Sequence, residues 1–148
     1  MENSNVDILL AEDTASDAEM TIRALKKGKV IHQVVHVWDG KEAFDFLMGK
    51  GEFAGRDTSK KPKVILMDLK MPRVTGLELL RLIKQEPSTR NIPVVVLTSS
   101  KEDPDMVECY ALGVNSYIIK PVGLDAFTTV VSELGLYWMM HNQLPSET

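Results

Sequence analysis

The chain has 148 residues, of which 44% are hydrophobic and 26% charged, with a formal net charge of −4. These values are typical of one soluble globular domain, and the acidic balance argues against nucleic acid, because binding to a phosphate backbone needs concentrated Lys and Arg. The single cysteine, Cys109, excludes an internal disulfide. No apolar run approaches the ~20 residues that cross a bilayer, so we expect a cytoplasmic protein with no membrane contact.

Five short apolar runs are spaced along the chain. They cover residues 8–11, 34–37, 64–67, 94–97 and 117–119, the second being the weakest. Continuous hydrophobicity of this kind is typical of strands that are buried on both faces, as in a parallel sheet.

Segments with helical spacing lie between the runs and begin with capping signals. The predicted starts, in chain order, are Ser16, Lys41, Thr75, Asp103 and Asp125. Because parallel strands need helical crossovers, the alternation predicts a doubly wound α/β fold with five strands and five helices. We expect a single domain over 1–148, with a core of about 7–135 and a C-terminal extension, 136–148.

Reactive polar residues follow the four strong runs, where each strand ends. They are Glu12 and Asp13 after the first run, Asp68 after the run at 64–67, Thr98 after the fourth and Lys120 after the fifth. The carboxyl ends of parallel strands share one edge of the sheet, where doubly wound folds bind ligands. The sequence therefore predicts one site built from four separate segments.

Three carboxylates at one edge repel each other unless a cation lies among them. Their hard oxygen ligands favour Mg²⁺, which usually keeps some coordination positions for water and phosphate oxygens. Lys120 supplies a positive charge and Thr98 a hydroxyl donor to a transferred phosphoryl group. Asp68 is the best-placed nucleophile, since carboxylates can form acyl-phosphates.

These residues, with three further motifs, resemble the receiver domain of bacterial two-component response regulators. The further motifs are the run ILMDLKMP at 65–72 with Gly76 beyond it, Tyr117, and the pair Lys120-Pro121. The resemblance covers roughly residues 7–135 and implies the flavodoxin-like strand order 2-1-3-4-5.

The resemblance also assigns roles to the site residues. Asp68 becomes the phosphoacceptor, and Asp13 and Asp68 become direct ligands of Mg²⁺ or Mn²⁺. The backbone carbonyl of Lys70 completes the protein ligands, and Glu12 binds the ion through water. Lys70 and Ser100 border the site, and their influence on the lifetime of the phosphoryl group stays open.

A switching mechanism follows from the same family. Phosphorylated Asp68 draws in Thr98, and Tyr117 turns inward, which changes the surface around the last two helices. The bond between Lys120 and Pro121 resembles the family's cis peptide. Such a protein is not a turnover enzyme, although it carries out Mg²⁺-dependent self-phosphorylation and dephosphorylation.

One branch of the family is closer still. Residues 86–93, 97–100, 113–117 and 136–138 are similar to phytochrome-partner response regulators, which are single-domain receivers served by histidine kinases. We therefore expect a sensor histidine kinase, of phytochrome type, and a downstream protein target. The alternative is a phosphorelay intermediate that passes the group to a histidine phosphotransfer protein. The five apolar residues at 136–140 are typical of a helix end that folds onto its own core, but they cannot all face one side, and the alternative is a protein contact such as a homodimer through the C-terminal half.

Three other functions fit the sequence less well. A haloacid-dehalogenase-type phosphatase needs a second acid two residues after its nucleophile, where this chain has Lys70. A flavodoxin-like flavin site needs an amide- and hydroxyl-rich loop after the first strand, where Glu12 and Asp13 would repel a bare phosphate. A receiver that no longer accepts phosphate is disfavoured because the reactive residues are present.

Overall fold

The core of the molecule is one sheet of five parallel strands, in the order β2-β1-β3-β4-β5. A computed structural model describes residues 6–27, 33–120 and 123–143. The strands are β1 (Ile8–Ala11), β2 (Val34–Val37), β3 (Val64–Met67), β4 (Val94–Thr98) and β5 (Ser116–Ile119). The five apolar runs and the flavodoxin-like order are thus confirmed.

Helices connect the strands on both faces of the sheet. They are α1 (Ala15–Lys27), α2 (Gly40–Met48), α3 (Gly76–Gln85), α4 (Asp103–Ala111) and α5 (Leu124–Leu136). A short 3₁₀ helix, Gly51–Phe53, follows α2, and a π-helical turn, Tyr137–His141, continues α5. None of the helices in the described ranges is long and apolar enough to cross a membrane.

Two hydrophobic layers cover the sheet, because successive strand residues point to opposite faces. Leu9 and Ala11 of β1 pack into the layer under α2, α3 and α4. Ile8 and Leu10 pack into the layer under α1 and α5. Since these side chains are 0–3% exposed, truncating a large one such as Leu9 would cost about 2–5 kcal/mol. A rigid sheet therefore fixes the residues that follow each strand.

The helix starts agree with the predicted ones to within one or two residues. At α3, Thr75 and Glu78 form the predicted capping box. The predicted start at Ser16 is wrong, because α1 begins at Ala15 and Ser16 lies inside its first turn. At α4 the cap is Glu102 instead of Asp103, since the helix already includes Asp103 before Pro104.

Candidate functional site

The register of the sheet brings the ends of β1, β3, β4 and β5 to one edge. Ala11 is opposite Met67, so Glu12 and Asp68 follow neighbouring strands at the same level. The backbone confirms this closeness, because the Asp68 amide donates to the Ala11 carbonyl at 3.1 Å. The Lys120 amide in turn donates to the Thr98 carbonyl at 2.7 Å. Glu12, Asp68, Thr98 and Lys120 therefore lie at one edge of the sheet, as predicted.

Lys120 forms the centre of an ionic cluster. Its Nζ donates to Glu12 Oε1 at 3.0 Å, to Asp17 Oδ2 at 2.9 Å and to Asp68 Oδ2 at 3.1 Å. An ammonium has three donors, and these three carboxylates use all of them. The cluster joins the chain segments after β1, β3 and β5 to the first turn of α1.

The buried position of this cluster shifts the pKa values of its members. The side chain of Glu12 is 3% exposed, that of Lys120 12% and that of Asp68 13%. Burial raises the pKa of Glu12 above its ordinary value, against the opposing effect of Lys120. Burial alone would lower the pKa of Lys120, but the hydrogen bond to Asp17 and the charges of Asp68 and Glu12 outweigh it and raise that pKa. Lys120 therefore stays protonated at neutral pH.

The carboxylate of Asp68 is held from two sides. The amide of Leu69 donates to Asp68 Oδ1 at 2.6 Å, and Lys120 binds the other oxygen. The start of α3 presses against the same backbone, since a Cβ on Gly76 would lie 2.3 Å from the Asp68 carbonyl oxygen. Only a glycine fits there without displacing backbone. The nucleophile candidate is thus fixed in place and partly exposed.

Glu12 is anchored through both its side chain and its backbone. The Thr14 amide donates to Glu12 Oε2 at 3.2 Å. The Glu12 carbonyl oxygen lies 2.8 Å from Nε2 of His36 on the edge strand β2. These bonds fix the direction in which Glu12 projects toward Asp68.

The donor set fits a hard divalent cation. One oxygen from each of Glu12, Asp17 and Asp68 lies within 4.8 Å of the others. Mg²⁺ and Mn²⁺ accept carboxylate oxygens of this kind, with one or two carboxylates sufficing for Mg²⁺. The exposure of Asp17 leaves an approach from solvent, because its side chain is 33% exposed.

Asp13 and Lys70 lie beside this cluster. The side chain of Asp13 is exposed and is not one of the three acids that approach each other, and its Oδ1 lies 3.5 Å from the Thr14 hydroxyl. Together with Lys70 and Asp105 it lines an adjoining open groove. Their predicted part in metal binding stays a prediction.

Thr98 and Tyr117 are connected through Ser100. The Thr98 side chain is buried, and its Oγ1 accepts a hydrogen bond from the Ser100 amide at 3.3 Å. The half-buried Tyr117 donates its hydroxyl to the Ser100 carbonyl at 3.0 Å. A movement of Thr98 would therefore disturb Ser100 and, through it, the hydrogen bond of Tyr117. Pro121, with its predicted cis bond to Lys120, lies outside the described residues.

Asp17 is the member of the cluster that was not predicted from the sequence. Its distinguishing signal is weak, because an acid in the first turn of a helix is common and stabilises the helix dipole. The position becomes informative only once α1 is known to begin at Ala15, which puts Asp17 in its first turn.

The family model for the response regulator receiver domain matches residues 8–132. Response regulator Rcp1 of a Synechocystis species is 36% identical over 139 residues, which cover 94% of this chain and 92% of that protein.

Two solved structures are similar over nearly the whole chain. The phosphorylated cyanobacterial phytochrome response regulator RcpA is 37% identical with a TM-score of 0.87, and the match covers 96% of this chain and 99% of that one. The Mn²⁺-bound form of Rcp1 is 35% identical with a TM-score of 0.87, over 95% and 99% of the two chains. With this fold, this edge cluster and these matches, the chain belongs to the response regulator receiver domain family.

Proposed function

We propose that the chain is a phosphoryl-accepting switch in which Asp68 receives the phosphoryl group. The observation that carries this proposal is the setting of Asp68, whose carboxylate is partly exposed and bonded to Lys120 beside Glu12 and Asp17. The phosphoryl donor is a phosphohistidine of a sensor histidine kinase. Its P–N bond breaks as an Asp68 oxygen forms the new O–P bond, and the chain acts as an acceptor and not as a turnover enzyme.

Mg²⁺ or Mn²⁺ would be held by Asp13, Asp68 and the carbonyl of Lys70, with Glu12 acting through water. A divalent cation in this place neutralises charge on the phosphoryl oxygens. The Mn²⁺ in the similar Rcp1 structure supports this part of the proposal. Asp17 is a further carboxylate of this chain that lies close enough to take part.

Lys120 and Thr98 would bind the phosphoryl oxygens. Lys120 already lies 3.1 Å from Asp68 Oδ2, so it needs little movement to reach a group attached there. The Thr98 hydroxyl would exchange its bond with the Ser100 amide for one with the phosphoryl group. Because Tyr117 is bonded to Ser100 as well, this exchange would shift the equilibrium at the surface of α4, β5 and α5.

The kinase is of phytochrome type and the output passes through a protein target that binds the changed surface. Relatives whose names contain phytochrome or bacteriophytochrome support the first statement, among them RcpA and the response regulator RtBRR. We propose that residues 1–148 act as one receiver domain in the cytoplasm.

A homodimer through the C-terminal half is also part of the proposal. Leu136, Tyr137 and Met140 are 44%, 50% and 59% exposed, while Trp138 between them is buried. Analytical ultracentrifugation should detect a dimer that weakens in a Tyr137→Ser/Met140→Ser variant. A monomer at all tested concentrations would contradict this element alone.

Intact mass spectrometry tests the central proposal. The protein is incubated with Mg²⁺ and acetyl phosphate, and we expect a gain of one phosphoryl group. Asp68→Asn should abolish the gain, whereas Asp45→Asn, which changes an aspartate of α2 that pairs with Lys41 outside the cluster, should leave it unchanged. An undiminished gain in Asp68→Asn would sink the proposal.

A further inference from the structure

An unusual turn lies in the loop that carries Asp68 and Lys70. We call residues 68–75 the acceptor loop, since it runs from Asp68 to the cap of α3. In it, the Val74 amide donates to the Pro72 carbonyl at 2.7 Å, which closes a three-residue turn around Arg73. Arg73 has φ of 63°, and it is the non-glycine residue with positive φ among the described residues. A long side chain is strained in that conformation.

Asp39 holds Arg73 in this turn. Its Oδ2 accepts from Arg73 Nε at 2.8 Å and lies 2.7 Å from Arg73 Nη2. Its Oδ1 accepts from the Glu42 amide at 2.8 Å and so caps α2. Asp39 is 6% exposed. One buried carboxylate therefore ties the start of α2 to the middle of the acceptor loop.

The neighbouring backbone reinforces this tie. The Gly40 amide donates to the Val74 carbonyl at 3.1 Å. A Cβ on Gly40 would lie 2.2 Å from the same oxygen, so α2 approaches the loop as closely as a glycine allows. At the far end of the loop, the Gly76 amide donates to the Leu69 carbonyl at 2.8 Å. The acceptor loop is thus clamped beside Arg73 and at its end.

We propose that Asp39 and Arg73 are positioning residues, whose ion pair holds the acceptor loop in the arrangement that binds the cation and presents Asp68. This inference rests on the proposed function. An ordinary surface ion pair contributes little and needs no strained backbone. Here the pair is half buried, and it supports a backbone conformation that a glycine would adopt without strain but an arginine does not. Backbone strain of this kind persists where the surrounding structure enforces it, often at functional sites.

Arg73→Gly separates positioning from stability. Glycine adopts φ of 63° freely, so the loss of the ion pair is offset by relief of strain, and we expect a melting temperature close to that of the wild type. The loop loses its clamp, however. We expect the dissociation constant for Mg²⁺, measured by calorimetric titration of the full chain, to rise about tenfold, as for other residues that orient metal ligands.

Asp39→Asn tests the other partner. Asparagine still caps α2 but lacks the charge that pairs with Arg73, so the same rise in the Mg²⁺ dissociation constant is expected. The double variant should bind Mg²⁺ no more weakly than either single one, because both changes remove one interaction. Arg73→Lys keeps a cation and should restore part of the affinity. Arg81→Ala breaks an exposed ion pair with Glu108 and is the matched control, with wild-type affinity expected.

The initial rate of phosphorylation by acetyl phosphate should fall together with Mg²⁺ affinity in the Arg73 and Asp39 variants. Unchanged affinity and rate in Arg73→Gly and Asp39→Asn, with a wild type that binds Mg²⁺ and accepts the phosphoryl group, would overturn the inference. Losses that only parallel a fall in melting temperature would overturn it as well. A wild type that neither binds Mg²⁺ nor gains mass would instead refute the proposed function.

Discussion

Lys120 Nζ donates to Asp68 Oδ2 at 3.1 Å, so the residue after β5 neutralises the carboxylate that follows β3. The same ammonium also binds Glu12 and Asp17, and it therefore occupies the position that a cation among these acids would share. A group that binds Asp68 Oδ2 has to displace or share its contact with Lys120. The lysine thus couples the charge of the site to the stability of the fold.

Replacing Lys120 by Met leaves three carboxylates together without their cation. We expect the free energy of unfolding to fall by about 3 kcal/mol, the usual effect of removing one partner of a buried ion pair. Added Mg²⁺ should stabilise this variant more than the wild type, because in the variant the ion does not compete with the Lys120 ammonium for the carboxylates. Urea unfolding with and without Mg²⁺ measures both effects.

Lys41→Met is the matched control. Lys41 pairs with Asp45 one turn away on α2, with 53% of its side chain exposed. Such a pair contributes about 0.5 kcal/mol or less. If both lysine variants unfold at the same urea concentration, the cluster around Lys120 has no special role in stability.

Gly76→Ala should disturb the backbone under Asp68. The added Cβ would meet the Asp68 carbonyl oxygen at 2.3 Å and the Leu69 Cα at 2.6 Å, and neither is the end of a flexible side chain. We expect a loss of about 3 kcal/mol in the free energy of unfolding, together with slower phosphorylation of Asp68.

Gly135→Ala provides the comparison. There the new Cβ would meet only the end of the Leu25 side chain, at 3.1 Å, and alanine favours the helix by up to about 1 kcal/mol. Its stability should therefore stay within about 1 kcal/mol of the wild type. Equal losses in the two variants would show that the close approach at Asp68 is not what matters.

The strand ends explain why much of the site is predictable. Glu12, Asp68, Thr98 and Lys120 each follow or end a strand, and the parallel register alone brings them to one edge. Asp17 was not predictable in this way, because its distance to Lys120 depends on how α1 crosses the sheet. Neither periodicity nor capping specifies that crossing.

Contacts between distant loops were also beyond the sequence. Asp39 and Arg73 are 34 positions apart and meet only because α2 and the acceptor loop touch. Glu12 and Asp13 are adjacent in the chain, but Glu12 is buried beside Asp68 and Asp13 is exposed. The direction of the chain where β1 ends determines which of the two acids faces inward. By contrast, the two layers of core residues follow directly from the apolar runs, since strand side chains alternate between faces.

Tyr117→Phe should weaken the connection between β5 and the loop after β4. The variant loses the 3.0 Å hydrogen bond from the hydroxyl to the Ser100 carbonyl while keeping the ring. We expect the free energy of unfolding to fall by about 1 kcal/mol. Tyr110→Phe, at a tyrosine that is 54% exposed on α4, should change it by less. Chemical denaturation of both variants measures these losses in the free energy of unfolding. A larger loss in Tyr110→Phe than in Tyr117→Phe would contradict the contribution of the hydrogen bond.

Cys109 should be inert in the native protein. Its side chain is fully buried, and burial, with smaller effects of Asp105 and Glu108, raises the pKa of the thiol from 9.0 to about 11. Two pKa units reduce the thiolate fraction about 100-fold at neutral pH, before any effect of access. Reaction with an aromatic disulfide reagent at pH 8 should therefore be negligible in buffer and reach one thiol per chain in denaturant.

The raised pKa of Cys109 also makes the folding stability depend on pH. The unfolded chain releases the thiol proton from about pH 9 upward, whereas the folded chain retains it until about pH 11. Folding stability contributed by the neutral thiol is thus present below pH 9 and lost as the pH rises through this window. Cys109→Val should remove the loss of folding stability that the thiol causes at high pH, which urea unfolding at pH 8 and pH 10.5 measures.

A reactive reference for the test with the disulfide reagent is a Cys109→Val/Ala126→Cys variant, which places a thiol at an exposed position of α5. If native Cys109 reacts as fast as this reference, α4 must open readily and the thiol is not held in the core.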